Sequence, residues 1–577
     1  MKPKSDLNDP ILLEIMWRRL VNIAEEAWVA LWRTSFSTIM AEAQDFGCEI
    51  MDANGNSLAH SPKSMPVFNL TLPHAVRAML ERFPVESLEP GDVLVTNDPW
   101  MCAGHLYDVA VVTPVFRNGA CVALAGSIGH VSDIGGTKER LTTREVYEEG
   151  LQIPPMKLYR RGAISDELVA LITSNVRRAD MVLGDIHALV SSNAVAARRI
   201  LSFLDEYELE SLQELAEVIQ DHSEKAMRAA VRALQDGTYT YRLVADGMGE
   251  PLPLPVTVTV EGEEISVDYE GAPPQLAQGA INCTYSFTAA ETVYALKCLL
   301  LPDIPANSGC YRPFRISAPE GSVLNCTHPA PVGVRHVLGY YISPLVLGAL
   351  APALPENVRA ATGFPTNLSV YGRDANGHVY NDHAMNGGGG GAWRGHDGVS
   401  AILFPTSAAT VSVEMLELRT PVVIECKELV QDSGGPGQWR GGLGQRLRAR
   451  KLYADGCRTL VAVQPEGRYH AAPGLFGGHP GGRCRVAHMD KTGRPQPVPA
   501  SGAVNLIDPA EEVVIELAGG AGYGDPFDRD PAAVLADVRN EYVSLDAARN
   551  AYGVVIGDGE VDEAATRQVR TRGPVRA

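Results

Sequence analysis

The stretch NDPWMCAGHLYDVAVVTPVFRNGACVALAGSIGHVSDIGG, residues 97–136, carries the strongest structural signal in this sequence. Two apolar runs within it are separated by Asn118 and Gly119. An Asn-Gly pair between two such runs is a strong signal for a two-residue β-hairpin turn. The stretch therefore predicts an antiparallel hairpin over residues 108–131, with polar residues gathered at the end away from the turn.

Three residues with metal-ligand chemistry would meet at that open end. With a regular two-residue turn, Asp108 lies opposite Gly129 and His130 lies opposite Tyr107. His105 precedes Asp108 by three positions, and strand residues three apart point to opposite faces. These two side chains therefore converge only if the segment before Asp108 is an irregular loop.

Two imidazoles and a carboxylate suit zinc, manganese or iron(II), and they leave coordination positions for water or substrate. Asp133 lies close enough in the sequence to be a further ligand or to support one. Asp45, at the head of DFGCEI, is another candidate carboxylate or an ordinary cap. The alternative for the whole group is a set of separately hydrogen-bonded polar residues at a strand end.

A second polar stretch, HAMNGGGGGAWRGHDG at residues 383–398, contains five consecutive glycines. Glycine lets a backbone approach a ligand closely, and exposed backbone N–H groups can bind an anion. Asn386, Gly387, Gly388 and Gly389 are therefore candidates for a loop that binds substrate or an anion. A flexible surface loop would explain the same composition, and the sequence leaves both interpretations open.

The composition excludes several classes of protein. The 577 residues carry a formal net charge of −19, which disfavours nucleic-acid binding because phosphates would be repelled. The first residues lack the apolar run of a secretory signal. The longest uncharged apolar stretch, residues 337–355, is broken by two prolines, so we expect no membrane span. Ten cysteines without C-x-x-C spacing indicate reduced thiols of a cytoplasmic protein.

Helical and strand patterns alternate along the chain and predict a mixed, multi-domain α+β fold. Apolar residues at helical spacing predict one long helix over 9–44, opened by Asn8-Asp9-Pro10, and a last helix near 531–549. We expect three regions: an N-terminal α+β metal-binding region (1–238), a β-rich region with glycine-rich loops (239–530), and a C-terminal helix with a basic tail (531–577).

Several motifs, in this order, resemble the hydantoinase B/oxoprolinase family, the beta-type subunits of ATP-dependent cyclic amide hydrolases. The resemblance covers about residues 8–550. The motifs are DFGCEIMDANG (45–55), GDVLVTNDPWMCAGHLYD (91–108), GSIGHVSDIGG (126–136), DIPANSGCYRPFRISAPEGSVLN (303–325), NGGGGGAWRGHDG (386–398), DSGGPGQWRGGLG (432–444) and GYGDPFDRDP (522–531).

The resemblance implies a hydantoinase B-like fold and one divalent transition metal: zinc, manganese or iron. In the carboxylase relatives of the family, two histidines and an aspartate hold the metal in an H-x-x-D pattern with a later histidine. His105, Asp108 and His130 match that pattern. Asp45 falls at the aspartate of the family's DFSC-like segment, which reads DFGC here. It would be a fourth ligand or, like Asp133, a catalytic base.

The resemblance also implies a hetero-oligomer. A partner subunit of the hydantoinase A type would bind ATP and phosphorylate the substrate, which fits the lack of a G-x-x-x-x-G-K-[ST] motif in this sequence. The expected activity is ring opening of a hydantoin, 5-oxoproline or a lactam by metal-bound water. Two alternatives stay open: the metal subunit of an ATP-dependent ketone carboxylase, and a non-catalytic scaffold for the ATPase subunit.

Overall fold

A computed structural model describes the protein at Leu7 and at residues 9–572. The predictions for Asn8 and for the end of the basic tail lie outside these residues. The chain forms two compact units that each draw on separate stretches of sequence. The first comprises Met1–Thr240, Pro255–Ser343 and Thr406–Ala409; the second comprises Tyr241–Leu254, Pro344–Pro405 and Thr410–Ala577. The three-region division of the chain stays a prediction.

The first unit contains the longest helices and a seven-stranded sheet. Its helices are α1 (Pro10–Thr34), α2 (Thr38–Ala41), α3 (Pro66–Arg82), α4 (Asp166–Asn175), α5 (Ala179–Glu206), α6 (Gln213–Arg232), α7 (Tyr285–Leu300), α8 (Ser308–Tyr311) and α9 (His336–Gly339). The strands up to residue 317 are β1 (Phe46–Met51), β2 (Ser57–His60), β3 (Val93–Thr96), β4 (Asp108–Arg117), β5 (Ala120–His130), β6 (Met156–Arg160), β7 (Ala163–Ile164), β8 (Gly237–Ala245), β9 (Leu252–Glu261), β10 (Glu264–Asp268) and β11 (Phe314–Ser317).

The seven-stranded sheet is antiparallel throughout, with the order β2-β1-β5-β4-β3-β6-β7. Helix α5 packs on β4 and β5, and α1 packs on α5 and β1. Strands β4 and β5 are therefore central and buried along most of their length. A smaller sheet has the order β11-β10-β9-β8.

Helix α1 begins as predicted, because Asp9 accepts a hydrogen bond from the Ile11 N–H at 2.9 Å and caps the helix. It ends at Thr34, so the prediction of one helix over 9–44 is wrong at its C-terminal end. The N–H groups of Phe36 and Ser37 donate to Asp185 Oδ1 on α5, at 2.8 and 3.2 Å. This tertiary acceptor replaces the helical carbonyls, and the short helix α2 then begins separately.

The β4–β5 hairpin turns at Asn118 and Gly119, both at positive φ, as predicted. Strand β5 then contains an extra residue, Val122, which forms a β-bulge next to the turn. Beyond the bulge the pairing moves by one position, so Asp108 lies opposite His130. The predicted register of the hairpin is therefore wrong by one residue, and the error matters because it changes which side chains face each other.

The second unit is rich in β structure and in irregular glycine-rich segments. Two of its sheets have the orders β13-β12-β16-β19 and β14-β15-β20-β17-β18. Its strands are β12 (Thr366–Arg373), β13 (Val379–Asn386), β14 (Val422–Leu429), β15 (Gln445–Lys451), β16 (Thr459–Ala462), β17 (Arg485–Met489), β18 (Pro495–Gln496), β19 (Ala503–Leu506), β20 (Glu512–Glu516), β21 (Ile556–Gly557) and β22 (Glu560–Val561). The remaining helices are α10 (Ile342–Leu350), α11 (Val413–Arg419), α12 (Pro531–Arg539), α13 (Leu545–Tyr552) and α14 (Glu563–Arg572).

This mixture of helices with several sheets confirms the predicted multi-domain α+β fold. The last predicted helix, near 531–549, is wrong as one element, because α12 ends at Arg539 and α13 begins at Leu545. Among the described residues, no helix has both the length and the apolar character that crossing a membrane requires. All ten cysteines are free thiols.

Candidate metal centre

The three predicted ligands of the H-x-x-D pattern meet where the β4–β5 hairpin opens. Asp108 is the first residue of β4, His130 is the last of β5, and the two are paired across the strands. His105 lies in a segment of turns before β4, which confirms the irregular loop that convergence requires. The Asn97 side-chain amide holds this segment by donating to the Leu106 carbonyl at 2.7 Å.

One atom of each side chain lies within 4.8 Å of the others. His105 Nε2 is 2.8 Å from Asp108 Oδ1, and His130 Nδ1 is 3.4 Å from the same oxygen. All three side chains are buried. Although His105 Nε2 and Asp108 Oδ1 are close, neither makes a hydrogen bond of acceptable geometry. Buried polar atoms are seldom left unsatisfied, so this donor set fits a shared divalent cation.

Burial and charge keep these groups in the protonation states that metal ligands need. Burial, followed by the charge of Arg335, lowers the pKa of His105 to about 3. Burial also lowers the pKa of His130. Burial would raise the pKa of Asp108, but His105 and Arg335 outweigh burial and hold that pKa well below its usual range. At neutral pH the cluster therefore offers two uncharged imidazoles and one carboxylate.

Residues far along the chain orient the candidate ligands. Arg335 donates from Nη2 to Asp108 Oδ2 at 2.8 Å and from Nε to the Ala103 carbonyl at 2.7 Å. His105 Nδ1 is 3.3 Å from the Gly333 carbonyl, so the other ring nitrogen faces the cluster. Partners of this kind fix the orientation of metal ligands and raise metal affinity.

Glu149 in turn holds the backbone that carries Gly333. Its Oε1 accepts hydrogen bonds from the N–H groups of Val332 and Gly333, at 2.9 and 2.8 Å, and from Thr143 Oγ1 at 3.0 Å. Burial raises the pKa of Glu149 to about 7. Glu149 therefore supports the cluster through the peptide that accepts from His105.

Asp45 lies beside the cluster, immediately before β1. Its Oδ2 is 3.8 Å from His130 Nδ1, and its backbone carbonyl accepts from the His130 N–H at 3.0 Å. Its Oδ1 is buried without a hydrogen-bond partner. Burial, followed by the charge of Asp108, raises the pKa of Asp45 to about 8. The structure places Asp45 within reach of the cluster, and its role as ligand or base stays a prediction.

Asp133 is engaged by cations instead. Its Oδ1 accepts from Lys138 Nζ at 2.7 Å and from Arg177 Nη1 at 2.9 Å, and its Oδ2 accepts from the Arg177 N–H. Burial would raise the pKa of Asp133, but Lys138 and Arg177 outweigh burial and lower it. The candidate metal cluster found among the described residues does not include Asp133. These contacts favour an ion-pair role, and no contact supports the predicted role of Asp133 as a base.

Residues 386–389 are buried at the end of β13, so the interpretation of a flexible surface loop is wrong. The N–H groups of Gly389 and Gly390 donate to backbone carbonyls at 2.9 and 2.7 Å. A Cβ atom on Gly389 would lie 1.9 Å from the Gly442 carbonyl oxygen. Direct packing of one backbone segment on another accounts for glycine here, and these two N–H groups are not available to an anion. Anion binding by this segment stays a prediction without a supporting contact.

An aromatic stack extends the cluster on one side. The Tyr107 ring lies 5.2 Å from the His130 ring at an interplanar angle of 19°, and the Arg140 guanidinium carbon lies 3.9 Å from the Tyr107 ring centre. Sequence reasoning missed Arg140, Arg335 and Glu149, because tertiary contacts alone bring them to the cluster. Tyr107 had a local signal, since it stands between the two ligands in HLYD.

A mixed fold of several sheets with a buried His–Asp–His cluster at a hairpin end defines a class of candidate metal-binding proteins. Within that class the chain belongs to the Hydantoinase B/oxoprolinase family, because the sequence profile of that family matches residues 9–526. The motif-based prediction of the family is therefore confirmed.

Two relatives show how far the sequence similarity extends. The caprolactamase subunit beta of Pseudomonas jessenii is 32% identical over 97% of this chain and 99% of that protein. The 5-oxoprolinase PfmaA of Pestalotiopsis fici is 31% identical over 90% of this chain and 41% of that protein. The first relative is named as one subunit of an enzyme, which implies a partner subunit in that system.

Solved structures support the same architecture. The ATP-dependent caprolactamase from Pseudomonas jessenii matches with a TM-score of 0.89 and 28% identity, covering 98% of this chain and 100% of that chain. A nucleotide-free acetone carboxylase matches with a TM-score of 0.86 and 19% identity, covering 98% of this chain and 83% of that chain. At that identity the second match shows the fold alone.

Proposed function

We propose that this chain is the metal-dependent subunit of an ATP-dependent cyclic amide hydrolase that opens a hydantoin, 5-oxoproline or lactam ring. The observation that carries the proposal is the convergence of His105, Asp108 and His130, in which His105 Nε2 and Asp108 Oδ1 are buried and unsatisfied. Family membership supports the class of reaction, because the named relatives act on cyclic amides.

His105 Nε2, Asp108 Oδ1 and an imidazole nitrogen of His130 would hold one divalent transition metal: zinc, manganese or iron. Such a metal would lower the pKa of a water molecule, so that hydroxide is available near neutral pH, and would polarise an oxygen of the substrate. Arg335 keeps Asp108 oriented with one oxygen toward the cluster. The Gly333 carbonyl fixes the ring of His105 in the same way.

Activation by ATP answers the chemical problem that ring amides are poor electrophiles. Phosphorylation of the amide oxygen makes the ring carbon electrophilic, and water then adds to that carbon. The carbon–nitrogen bond breaks, and the nitrogen keeps the electron pair and takes up a proton. A second water releases the phosphoryl group as phosphate. Over the cycle, the cyclic amide, ATP and two waters give the open-chain amino or carbamoyl acid, ADP and phosphate.

Asp45 is the group of this chain that we assign to proton transfer or to a fourth ligand position. Its Oδ1 has no hydrogen-bond partner, and its pKa of about 8 reflects burial first and then the charge of Asp108. A bound divalent cation would lower that pKa through its charge. The carboxyl could then exchange a proton with water or with the ring nitrogen near neutral pH.

The proposal includes a partner of the hydantoinase A type that binds ATP and phosphorylates the substrate. The sequence of this chain has no G-x-x-x-x-G-K-[ST] phosphate loop. The caprolactamase relatives are named as ATP-dependent and as one subunit of an enzyme, which supports a partner subunit that binds ATP. A hetero-oligomer of the two subunits is the expected enzyme.

The test is an assay of the chain co-expressed with its partner, in which ATP hydrolysis and ring opening are followed over a panel of lactams, hydantoins and 5-oxoproline. Wild type should open at least one ring, and His105→Ala and His130→Ala should lose ring opening. His378→Ala is the matched control, because His378 is exposed and pairs only with Asp374 at 3.1 Å.

Two outcomes would contradict the proposal in different ways. Bicarbonate-dependent carboxylation of a ketone without ring opening would identify the carboxylase function. Full ring opening by both histidine variants would identify this chain as a scaffold for its partner.

A further inference from the structure

Arg140 is a buried cation whose terminal nitrogens have no acceptor. Arg140 is the first residue of the short 3₁₀ helix Arg140–Thr142, and only 7% of its surface is exposed. Neither Nη1 nor Nη2 makes a hydrogen bond. Burying a guanidinium away from water without a partner is costly, so such a group calls for an anionic or polar ligand.

The neighbouring carboxylates do not serve that purpose. Asp133 is occupied by Lys138 and Arg177. Glu149 lies close enough for the charge of Arg140 to lower its pKa, but its Oε1 accepts hydrogen bonds from three other groups and its Oε2 has no hydrogen-bond partner. Among the residues that the structure describes, no carboxylate forms an ion pair with Arg140 within 4.0 Å. The guanidinium is therefore held by its contact with the Tyr107 ring, while its terminal nitrogens make neither a hydrogen bond nor an ion pair.

That position is defined relative to the candidate metal ligands. The guanidinium carbon lies 3.9 Å from the centre of the Tyr107 ring, and this ring stacks on His130. The Tyr107 hydroxyl is also buried without a hydrogen-bond partner. The Arg140 guanidinium and the Tyr107 hydroxyl, two polar groups with unsatisfied atoms, thus lie in one stack of side chains that ends at His130.

We propose that Arg140 binds an oxyanion of the substrate, namely the phosphoryl group of the ATP-activated ring. A planar guanidinium donates two parallel hydrogen bonds to a phosphoryl group, which suits an arginine with both terminal nitrogens unengaged. The Tyr107 ring sets the distance between this group and the metal ligands. The assignment rests on the proposed function for the nature of the anion.

The test measures binding of inorganic phosphate to the full chain alone, by calorimetry and by the phosphate-induced rise in melting temperature. Wild type should bind phosphate, and Arg140→Met should bind it at least about tenfold more weakly. Without phosphate, Arg140→Met should melt at or above the wild-type temperature, because an unpaired buried charge is removed. Arg140→Lys keeps the charge and loses the planar guanidinium. Its phosphate affinity should lie between those of wild type and Arg140→Met.

Arg144→Met is the matched control, because Arg144 follows in the same segment and is exposed in a pair with Glu148. It should bind phosphate as wild type does. Equal phosphate affinity in wild type and Arg140→Met, or no phosphate binding by wild type, would overturn the proposal. Stabilisation of wild type by 5-oxoproline but not by phosphate would also overturn it, since the anion would then be a ring carboxylate.

These results separate the inference from the proposed function. Ring opening by wild type together with unchanged phosphate binding in Arg140→Met would retain the function and reject the role of Arg140. Lost phosphate binding in Arg140→Met without ring opening of any cyclic amide by wild type would retain an oxyanion site at Arg140 and reject the function.

Discussion

The His–Asp–His cluster of the first unit and the glycine-rich backbone of the second unit are both dense motifs in the sequence, and both are buried. In the cluster, His105 Nε2 and Asp108 Oδ1 face each other without a hydrogen bond. In the glycine-rich backbone, the N–H groups of Gly389 and Gly390 are already donated to carbonyls. The cluster thus keeps polar atoms that a ligand could satisfy, whereas these two N–H groups of the glycine-rich backbone are already satisfied within the fold.

The largest expected effect is the loss of folding when a packed glycine gains a side chain. In Gly389→Ala the new Cβ would lie 1.9 Å from the Gly442 carbonyl oxygen, so backbone must move. We expect a destabilisation above about 4 kcal/mol, measured as lost soluble yield or a collapsed thermal transition. Gly557→Ala is the control, because its Cβ meets nothing within 4 Å. A normally stable Gly389→Ala would remove the distinction drawn between the two regions.

The next prediction concerns metal binding by the His–Asp–His cluster. Arg335→Met should weaken metal binding about 10–100-fold, because Asp108 loses the donor that orients it. The measurement is a metal titration of the purified full chain against a competing chelator. Arg315→Met, which removes an exposed arginine paired with Glu264, should leave the metal affinity unchanged. Equal affinities in wild type and Arg335→Met would show that this contact does not support the cluster.

A third prediction decides whether Asp45 is a ligand. Burial and Asp108 raise the pKa of Asp45 to about 8, whereas His105, His130 and Asp108 are already deprotonated at pH 7. Metal binding should therefore release about one proton per chain at pH 7 if Asp45 becomes a ligand. Calorimetry in buffers of different ionisation enthalpy measures this release.

Asp45→Asn is the variant that tests this assignment. It should bind metal with almost no proton release at the same pH. Proton release that is the same in wild type and Asp45→Asn would exclude Asp45 as its source.

A further effect, which is small at any one pH, is a pH dependence of stability. Glu291 on α7 is buried, and burial raises its pKa from 4.5 to about 8. Between these values the folded chain keeps the proton and the unfolded chain loses it. The stability of the fold therefore falls as pH rises, by at most about 1.4 kcal/mol per pH unit. Glu291→Gln removes this pH dependence. The difference between the melting temperatures of the variant and of wild type should therefore increase, in favour of the variant, from about pH 5 to about pH 8.

Glu214→Gln, at an exposed position of α6, serves as the control and should track wild type across this range. A difference between Glu291→Gln and wild type that stays constant with pH would show that Glu291 is not held protonated in the folded chain.

Local patterns were enough to find the three candidate ligands and the hairpin that carries two of them. The H-x-x-D spacing identified His105 and Asp108, and the Asn118-Gly119 turn brought His130 to the same end. The bulge at Val122 was not predictable, because no local rule requires an extra residue there, yet it decides that Asp108 faces His130.

Other features depend on contacts between distant parts of the chain. Arg335 reaches Asp108 across more than 200 positions of sequence. Asp185 ends α1 early by accepting from Phe36 and Ser37. The burial of residues 386–389 follows from segments that pack against them, and a run of glycines alone does not distinguish packing from binding.

The most direct test of the account is the metal content of the full chain purified together with its partner, with wild type compared with His105→Ala by elemental analysis. The account predicts about one zinc, manganese or iron per wild-type chain and little in the variant, which should stay folded, with a cooperative thermal transition, although it melts at a lower temperature without the metal. A wild-type chain without bound metal, or equal metal in both proteins, would contradict the assignment of His105, Asp108 and His130 as a metal centre.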